Sequence, residues 1–136
     1  MSCVSSRWLC FLEVGTTIYL YKFNKRNREL IWKCQLNGGL VSTQVFALDF
    51  RNGNLIWTFN GGSGLTGSVV ANNGRFYFGS TVNSHFFCVD ADGKRDGTTD
   101  LIWSIRMKNK TEESVPAIYK GKAYMLNSGG YLHAIE

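Results

Sequence analysis

Two twelve-residue phrases ending in the same tripeptide constrain this chain more than any other feature. YKFNKRNRELIW runs from Tyr21 to Trp32, and FALDFRNGNLIW from Phe46 to Trp57. A third version, FCVDADGKRDGTTDLIW, runs from Phe87 to Trp103 and carries five extra residues in its turn. LHAIE, from Leu132 to Glu136, opens the phrase once more. Between them a second phrase recurs as GSVVANNGRFYFGS (Gly67 to Ser80) and SVPAIYKGKAYMLNS (Ser114 to Ser128), with Tyr77 matching Tyr124 and Gly74 matching Gly121. Trp57 and Trp103 lie 46 residues apart, or about 41 without the insertion, which is the period of a four-stranded propeller blade.

Physical chemistry gives the phrase a purpose. In FALDFRNGNLIW the small Ala47 lets a neighbouring sheet approach, and Asp49 accepts hydrogen bonds from turn amides. Gly53 supplies a left-handed backbone angle, and Trp57 offers a broad apolar plate to the adjoining sheet. The phrase therefore reads as a hairpin plus a staple between sheets. Within one period the spacing predicts strands near 66–71, 75–80, 85–90 and 101–106, with turns at Asn73-Gly74 and Asp92-Gly93. No helical periodicity is sustained anywhere. With 15 Gly, one Pro and 14% aromatic residues, the composition also fits short strands and tight turns.

These residues resemble the tryptophan-docking repeat of the pyrroloquinoline-quinone-like (PQQ-like) β-propellers, whose pattern is roughly Ala-x-Asp-x-x-x-Gly-x-x-x-Trp. Ala47, Asp49, Gly53 and Trp57 match it throughout. The third copy keeps Asp90, Gly93 and Trp103 with Cys88 in place of Ala; the first keeps Trp32, with Lys22 for Ala and Asn24 for Asp; the last supplies Ala134, with Glu136 for Asp. The resemblance covers residues 18 to 136 and implies an all-β fold, a partial propeller of four-stranded antiparallel blades. Residues 1–15 read as a separate, poorly defined segment, 16–136 as the repeats, and about 66–107 as the one complete blade. Trp32 and Trp57 are only 25 residues apart, so the stretch around Cys34 to Gln44 reads as having lost a strand pair. Whole propellers are rings of several blades, and this chain holds about two and a half, the content of an arc.

Several chemistries are weighed against that frame. The quinone-dependent dehydrogenases that the fold resembles use a calcium ion, a catalytic Asp and, in several members, adjacent cysteines on the axis of a full ring. The four cysteines here, Cys3, Cys10, Cys34 and Cys88, include no adjacent pair and no CxxC, so neither PQQ nor zinc is expected. Their even number leaves disulfides open. The acidic turn around Asp90, Asp92, Asp96 and Asp100 resembles a calcium loop in its carboxylate count, but Lys94 occupies a ligand position and Trp103 stands where a Glu belongs. It is read as a surface turn, with calcium as the alternative. His85 and His133 read as strand-face residues, Gly-rich NGGSGLTGS with Ser63 and Ser68 as a linker, and Asn109 in NKT as a glycan acceptor only in a secreted eukaryotic setting.

The net charge is +5, with a basic run of Lys22, Lys25, Arg26 and Arg28 and nearby Lys33. That run reads as a solvated turn with no aromatic platform interleaved, so nucleic acid is not an expected partner. No segment is long and apolar enough to span a membrane as a helix, and the first residues do not read as a signal peptide. The expected role is a non-catalytic binding or scaffolding module. Its expected partners are proteins or further propeller blades, with self-association through open edges also foreseen. The resemblance implies a periplasmic or cell-surface setting for a longer parent. The alternatives are a fragment of a quinone-dependent oxidoreductase and a calcium-binding cell-surface protein.

Overall fold

The computed structural model describes residues 2–4, 8–12, 17–37, 44–62, 64–65, 68–111 and 114–136. Among these residues there are thirteen strands and no helix, hence no helix long and apolar enough to cross a membrane. The strands are β1 (Ser2–Val4), β2 (Trp8–Leu12), β3 (Thr17–Phe23), β4 (Leu30–Asn37), β5 (Gln44–Asp49), β6 (Leu55–Asn60), β7 (Val70–Asn72), β8 (Arg75–Gly79), β9 (His85–Asp90), β10 (Leu101–Arg106), β11 (Ala117–Tyr119), β12 (Lys122–Leu126) and β13 (Leu132–Ile135). All pairings are antiparallel.

The strands form four units in series. β3 and β4 make a two-stranded hairpin. A first four-stranded sheet has the order β1-β2-β5-β6, and a second the order β10-β9-β8-β7. β11, β12 and β13 make a three-stranded sheet. Three apolar layers separate these units. Trp32 and Leu36 of the hairpin meet Phe46 and Leu48 of the first sheet. Val45, Ala47 and Trp57 of that sheet meet Phe76, Phe78, Phe87 and Val89 of the second. Tyr77, Phe86 and Cys88 of the second meet Ala123 and Met125 of the third.

Strand alternation explains how one strand serves two layers, because successive side chains leave opposite faces. On β5, Val45 and Ala47 face forward, while Phe46 and Leu48 face back. On β9, Phe86 and Cys88 face forward, and Phe87 and Val89 face back. The runs of buried residues in β5, β8 and β9 thus mark strands covered on both sides. Burying each large aromatic contributes on the order of 2–3 kcal/mol, and ring pairs such as Trp57–Phe76, at 5.6 Å, add about 1 kcal/mol.

Two sequence expectations change here. The strand pair missing between Trp32 and Trp57 is supplied by the N-terminal segment, where β1 and β2 complete the first sheet through Cys10↔Ala47 and its neighbours. The physical reason is that β5 is buried, and its free backbone edge must find hydrogen-bond partners. Residues 2–12 carry no docking phrase to announce this. Among the described residues there are accordingly two four-stranded sheets, where the spacing predicted one complete blade. In the second, β8, β9 and β10 lie where the spacing places them, but β7 is shorter than 66–71; residues 66 and 67 lie outside the described residues, and Leu65 makes an isolated bridge with Ser80.

Candidate docking surfaces

The tryptophans staple each unit to the next with one repeated geometry. Trp32 on β4 donates its indole N–H to the Phe50 carbonyl at 3.1 Å, and Trp57 on β6 donates to the Ala91 carbonyl at 3.0 Å. Both acceptors follow directly on the motif carboxylates, Asp49 and Asp90. Asp49 Oδ1 accepts the Arg51 amide at 2.7 Å; Asp90 Oδ1 accepts those of Asp92 at 2.9 Å and Gly93 at 3.1 Å. These bonds hold the turn so that its carbonyl points at the incoming indole. A glycine then lets the ring lie on the turn. A Cβ on Gly53 would stand 2.7 Å from Trp32, and one on Gly93 would stand 2.0 Å from Trp57.

The first phrase, which departs most from the pattern, keeps the same turn. Asn24 Oδ1 accepts the Arg26 amide at 2.9 Å, and Arg28 takes the left-handed angle (φ 64°) that Gly53 takes at 76°. Lys22, in the Ala position, donates to the Phe50 carbonyl at 2.7 Å, the group that also receives Trp32. At the other end of the series, Trp103 packs against Tyr77 and Phe86, but among the described residues no carbonyl accepts its indole N–H. Ala134 is exposed.

The acidic turn does not gather its four aspartates. Asp90 caps the turn as above, and Asp96 accepts the Thr98 amide at 2.9 Å and hydroxyl at 2.6 Å. Asp100 pairs with Lys94 at 2.5 Å. The Thr98 bonds hold the Asp96 carboxyl below its ordinary range, and the Asp100 bond raises Lys94. Among the described residues no three His, Cys, Asp or Glu side chains converge as a metal site. The histidines are held separately. His85 Nδ1 donates to the Asn83 carbonyl at 2.7 Å, and His133 Nε2 faces the Asn127 amide nitrogen at 3.1 Å.

Other sequence candidates are structural in their settings. Cys88 and Cys34 are free thiols, and burial pushes both above the ordinary thiol value. Thr111 of the NKT triplet is buried against Gly79, and Asn109 lies against Gly129, so the triplet packs the loop after β10. Ser68 is half-buried, and Ser63 lies outside the described residues. A cavity of about 260 Å³ between the second and third sheets is lined by Asn72, Asn73, Arg75, Tyr77, Ile118 and Gly121, without a carboxylate, thiol or imidazole to form an acid–base pair.

Among the described residues, two sheet faces carry exposed apolar side chains: the back of the hairpin and the front of the three-stranded sheet. Tyr21 and Phe23, 51% and 57% exposed, hold the positions that Phe46 and Leu48 hold on β5 and that Phe87 and Val89 hold on β9. Leu132, 66% exposed, and Ala134 hold the positions of Val45 and Ala47, and of Phe86 and Cys88. Tyr119, 63% exposed, and Leu126 extend that second patch. Lys33, near the basic run, lies against an aromatic platform. Lys33 Nζ lies 4.4 Å from the Tyr19 ring and 5.4 Å from the Tyr21 ring, and Tyr21 stacks on Phe23 at 6.1 Å. Two-residue spacing on β3 put these rings on one face, and β4 brought Lys33 to them across the hairpin.

No family model and no curated protein matches the chain. Among solved structures, BamB from Moraxella catarrhalis superposes with a TM-score of 0.66 at 13% identity, over 94% of this chain and 46% of that one. A europium-containing methanol dehydrogenase superposes with a TM-score of 0.47 at 15% identity, over 88% of this chain and 19% of that one. The chain thus spans less than half the length of either. Sheets stapled in series by docked tryptophans, together with the BamB superposition, show the fold: stacked antiparallel sheets of the β-propeller type, similar to those of BamB.

Proposed function

We propose that the chain is a non-catalytic propeller segment that works as a binding or scaffolding module for protein partners. The observation that supports this most is the pair of open faces, where Tyr19, Tyr21, Phe23 and Ile31 at one end and Tyr119, Leu126 and Leu132 at the other stand exposed. Contiguous apolar patches of this kind mark interaction surfaces. The Asp90, Asp96 and Asp100 carboxylates are spent on turn amides, a hydroxyl and Lys94, and the histidines on Asn83 and Asn127. The titratable groups thus hold turns and strands in place, and the open surface is a contact surface.

The test is a calorimetric titration of the chain with pyrroloquinoline quinone and calcium, separately and together. The expected result is no saturable heat. Saturable binding of the quinone would replace this reading with that of a fragment of a quinone-dependent oxidoreductase.

A further inference from the structure

We propose that Cys3 on β1 and Cys10 on β2 form a cross-strand disulfide, a reducible clasp on the hairpin that completes the first sheet. The two residues are direct partners in the antiparallel register, between Ser2↔Phe11 and Val4↔Leu9. Opposed residues of an antiparallel pair have Cα atoms about 4.5–5.5 Å apart, whichever ladder position they hold. A disulfide spans about 4.4–6.8 Å between Cα atoms, so this backbone placement accepts one without a shift. The positions of the other cysteines decide among the pairings open to four of them. Cys34 packs in the layer between the β3–β4 hairpin and the first sheet, and Cys88 in the layer between the second sheet and the third; both are free thiols. Cys10 belongs to neither layer by register. Its partner on β5 is Ala47, which faces the layer between the first sheet and the second.

The same row of the second sheet shows what the pair replaces. There the register runs Trp103, Cys88, Tyr77, Val70; in the first sheet it runs Trp57, Ala47, Cys10, Cys3. The third sheet sets Ala117 opposite Tyr124 at the corresponding place. Tyr77 is a buried ring, 6.0 Å from Trp103. The first sheet has a small residue at that position and a second cysteine opposite it, so a covalent link takes the place of the ring's contacts. The oxidant is a small-molecule disulfide of the glutathione kind. One cysteine thiolate attacks it, the reagent's S–S bond breaks, one glutathione thiolate leaves and a mixed disulfide forms. The other cysteine thiolate then attacks the protein sulfur of that mixed disulfide, forming the Cys3–Cys10 bond and releasing the second glutathione thiolate. The chain gives up two electrons and two protons, and the reagent takes them up as two thiols.

Trypsin cuts after Arg7, between the two cysteines, and after Lys22, so a peptide map reads the bond directly. The full chain is equilibrated with oxidised and reduced glutathione in native buffer and in concentrated urea, quenched with acid, alkylated, digested without reduction and analysed by mass spectrometry. The expected product links the peptide from Met1 to Arg7 with the peptide from Trp8 to Lys22, while Cys34 and Cys88 carry the alkyl group. Because the native register holds the two residues together, the link should survive glutathione at least about tenfold more reducing in native buffer than in urea. The oxidised chain should melt about 5–10 °C above the reduced one, and Cys3→Ser and Cys10→Ser should each erase that difference. If either serine variant unfolds, the unaltered chain in the two buffers still decides. The proposal is overturned by a chain whose four cysteines all remain alkylated, by glutathione adducts that persist on Cys3 or Cys10, by a link to Cys34 or Cys88, or by equal redox midpoints in native buffer and in urea.

Discussion

Trp57 on β6 and Gly93 on the following sheet are in direct stacking contact: the indole lies so close over the glycine that no Cβ fits between them, and its N–H reaches the Ala91 carbonyl at 3.0 Å. One contact therefore joins a side chain near the start of one hairpin strand to the turn of the next hairpin, 34 residues along the chain. The strength of that junction can be separated from the turn's own backbone preference. Gly93 and Gly97 share one loop and both have positive φ, but only Gly93 meets the ring; a Cβ on Gly97 has nothing within 4 Å. Gly97→Ala should cost about 1–2 kcal/mol from backbone strain alone, and Gly93→Ala about 2 kcal/mol more from overpacking. Urea unfolding of the two variants measures the difference.

The first phrase carries strain that the second avoids. Arg28 sits at φ 64°, where Gly53 sits in its counterpart. Arg28 is exposed, so replacing it removes little packing. Arg28→Gly should stabilise the chain by up to about 1 kcal/mol, the relief of the left-handed angle less the entropy added to the unfolded state. A fall in stability would show that the arginine side chain supports the turn.

Cys88 gives stability a definite pH slope. Burial raises its thiol above the ordinary value of 9.0. As pH rises through that value, the unfolded chain loses the proton while the native chain keeps it, so the unfolded state binds fewer protons and stability falls. The contribution is complete at neutral pH and is lost as pH climbs toward the folded thiol's own value. Burial raises Tyr77 as well, with the same sign at higher pH. Cys88→Ala should flatten the decline that sets in as pH rises past 9.0 in denaturant melts.

The acidic turn is held by its own hydrogen bonds. Asp90→Ala removes the acceptor for two turn amides and should cost about 1 kcal/mol or more, because that turn also presents the carbonyl to Trp57. Asp96→Ala, on the exposed side, should cost less than about 0.5 kcal/mol. Calcium should leave the melting temperature of the unaltered chain unchanged. A rise with calcium that Asp96→Ala abolishes would assign an ion to this turn.

Much of this architecture is legible in the residues, for reasons that are local. Leu-Ile-Trp endings, Asn73-Gly74 and the Asp–Gly spacing depend on a strand, a turn and a plate, which neighbouring residues specify. Three features escape such a reading. The Tyr21 phrase looks degenerate because Asn24 and Arg28 replace Asp and Gly, yet an amide oxygen caps the turn as a carboxylate does, and an arginine accepts the strained angle. The β1–β2 pair joins the first sheet from 33 residues or more away, and non-local strand pairing leaves no phrase in either partner. The open aromatic face needed β4 to place Lys33 beside Tyr19 and Tyr21, a cross-strand register that spacing along one strand does not reveal.

The series of docked indoles is the central claim, and hydrogen exchange of the tryptophan indole N–H groups, followed by NMR, tests it most directly. Under conditions where the chain is monomeric, Trp57 should exchange slowly, Trp32 measurably, and Trp103, which has no carbonyl acceptor among the described residues, rapidly. A Trp57 indole that exchanges as fast as Trp103 would contradict the account.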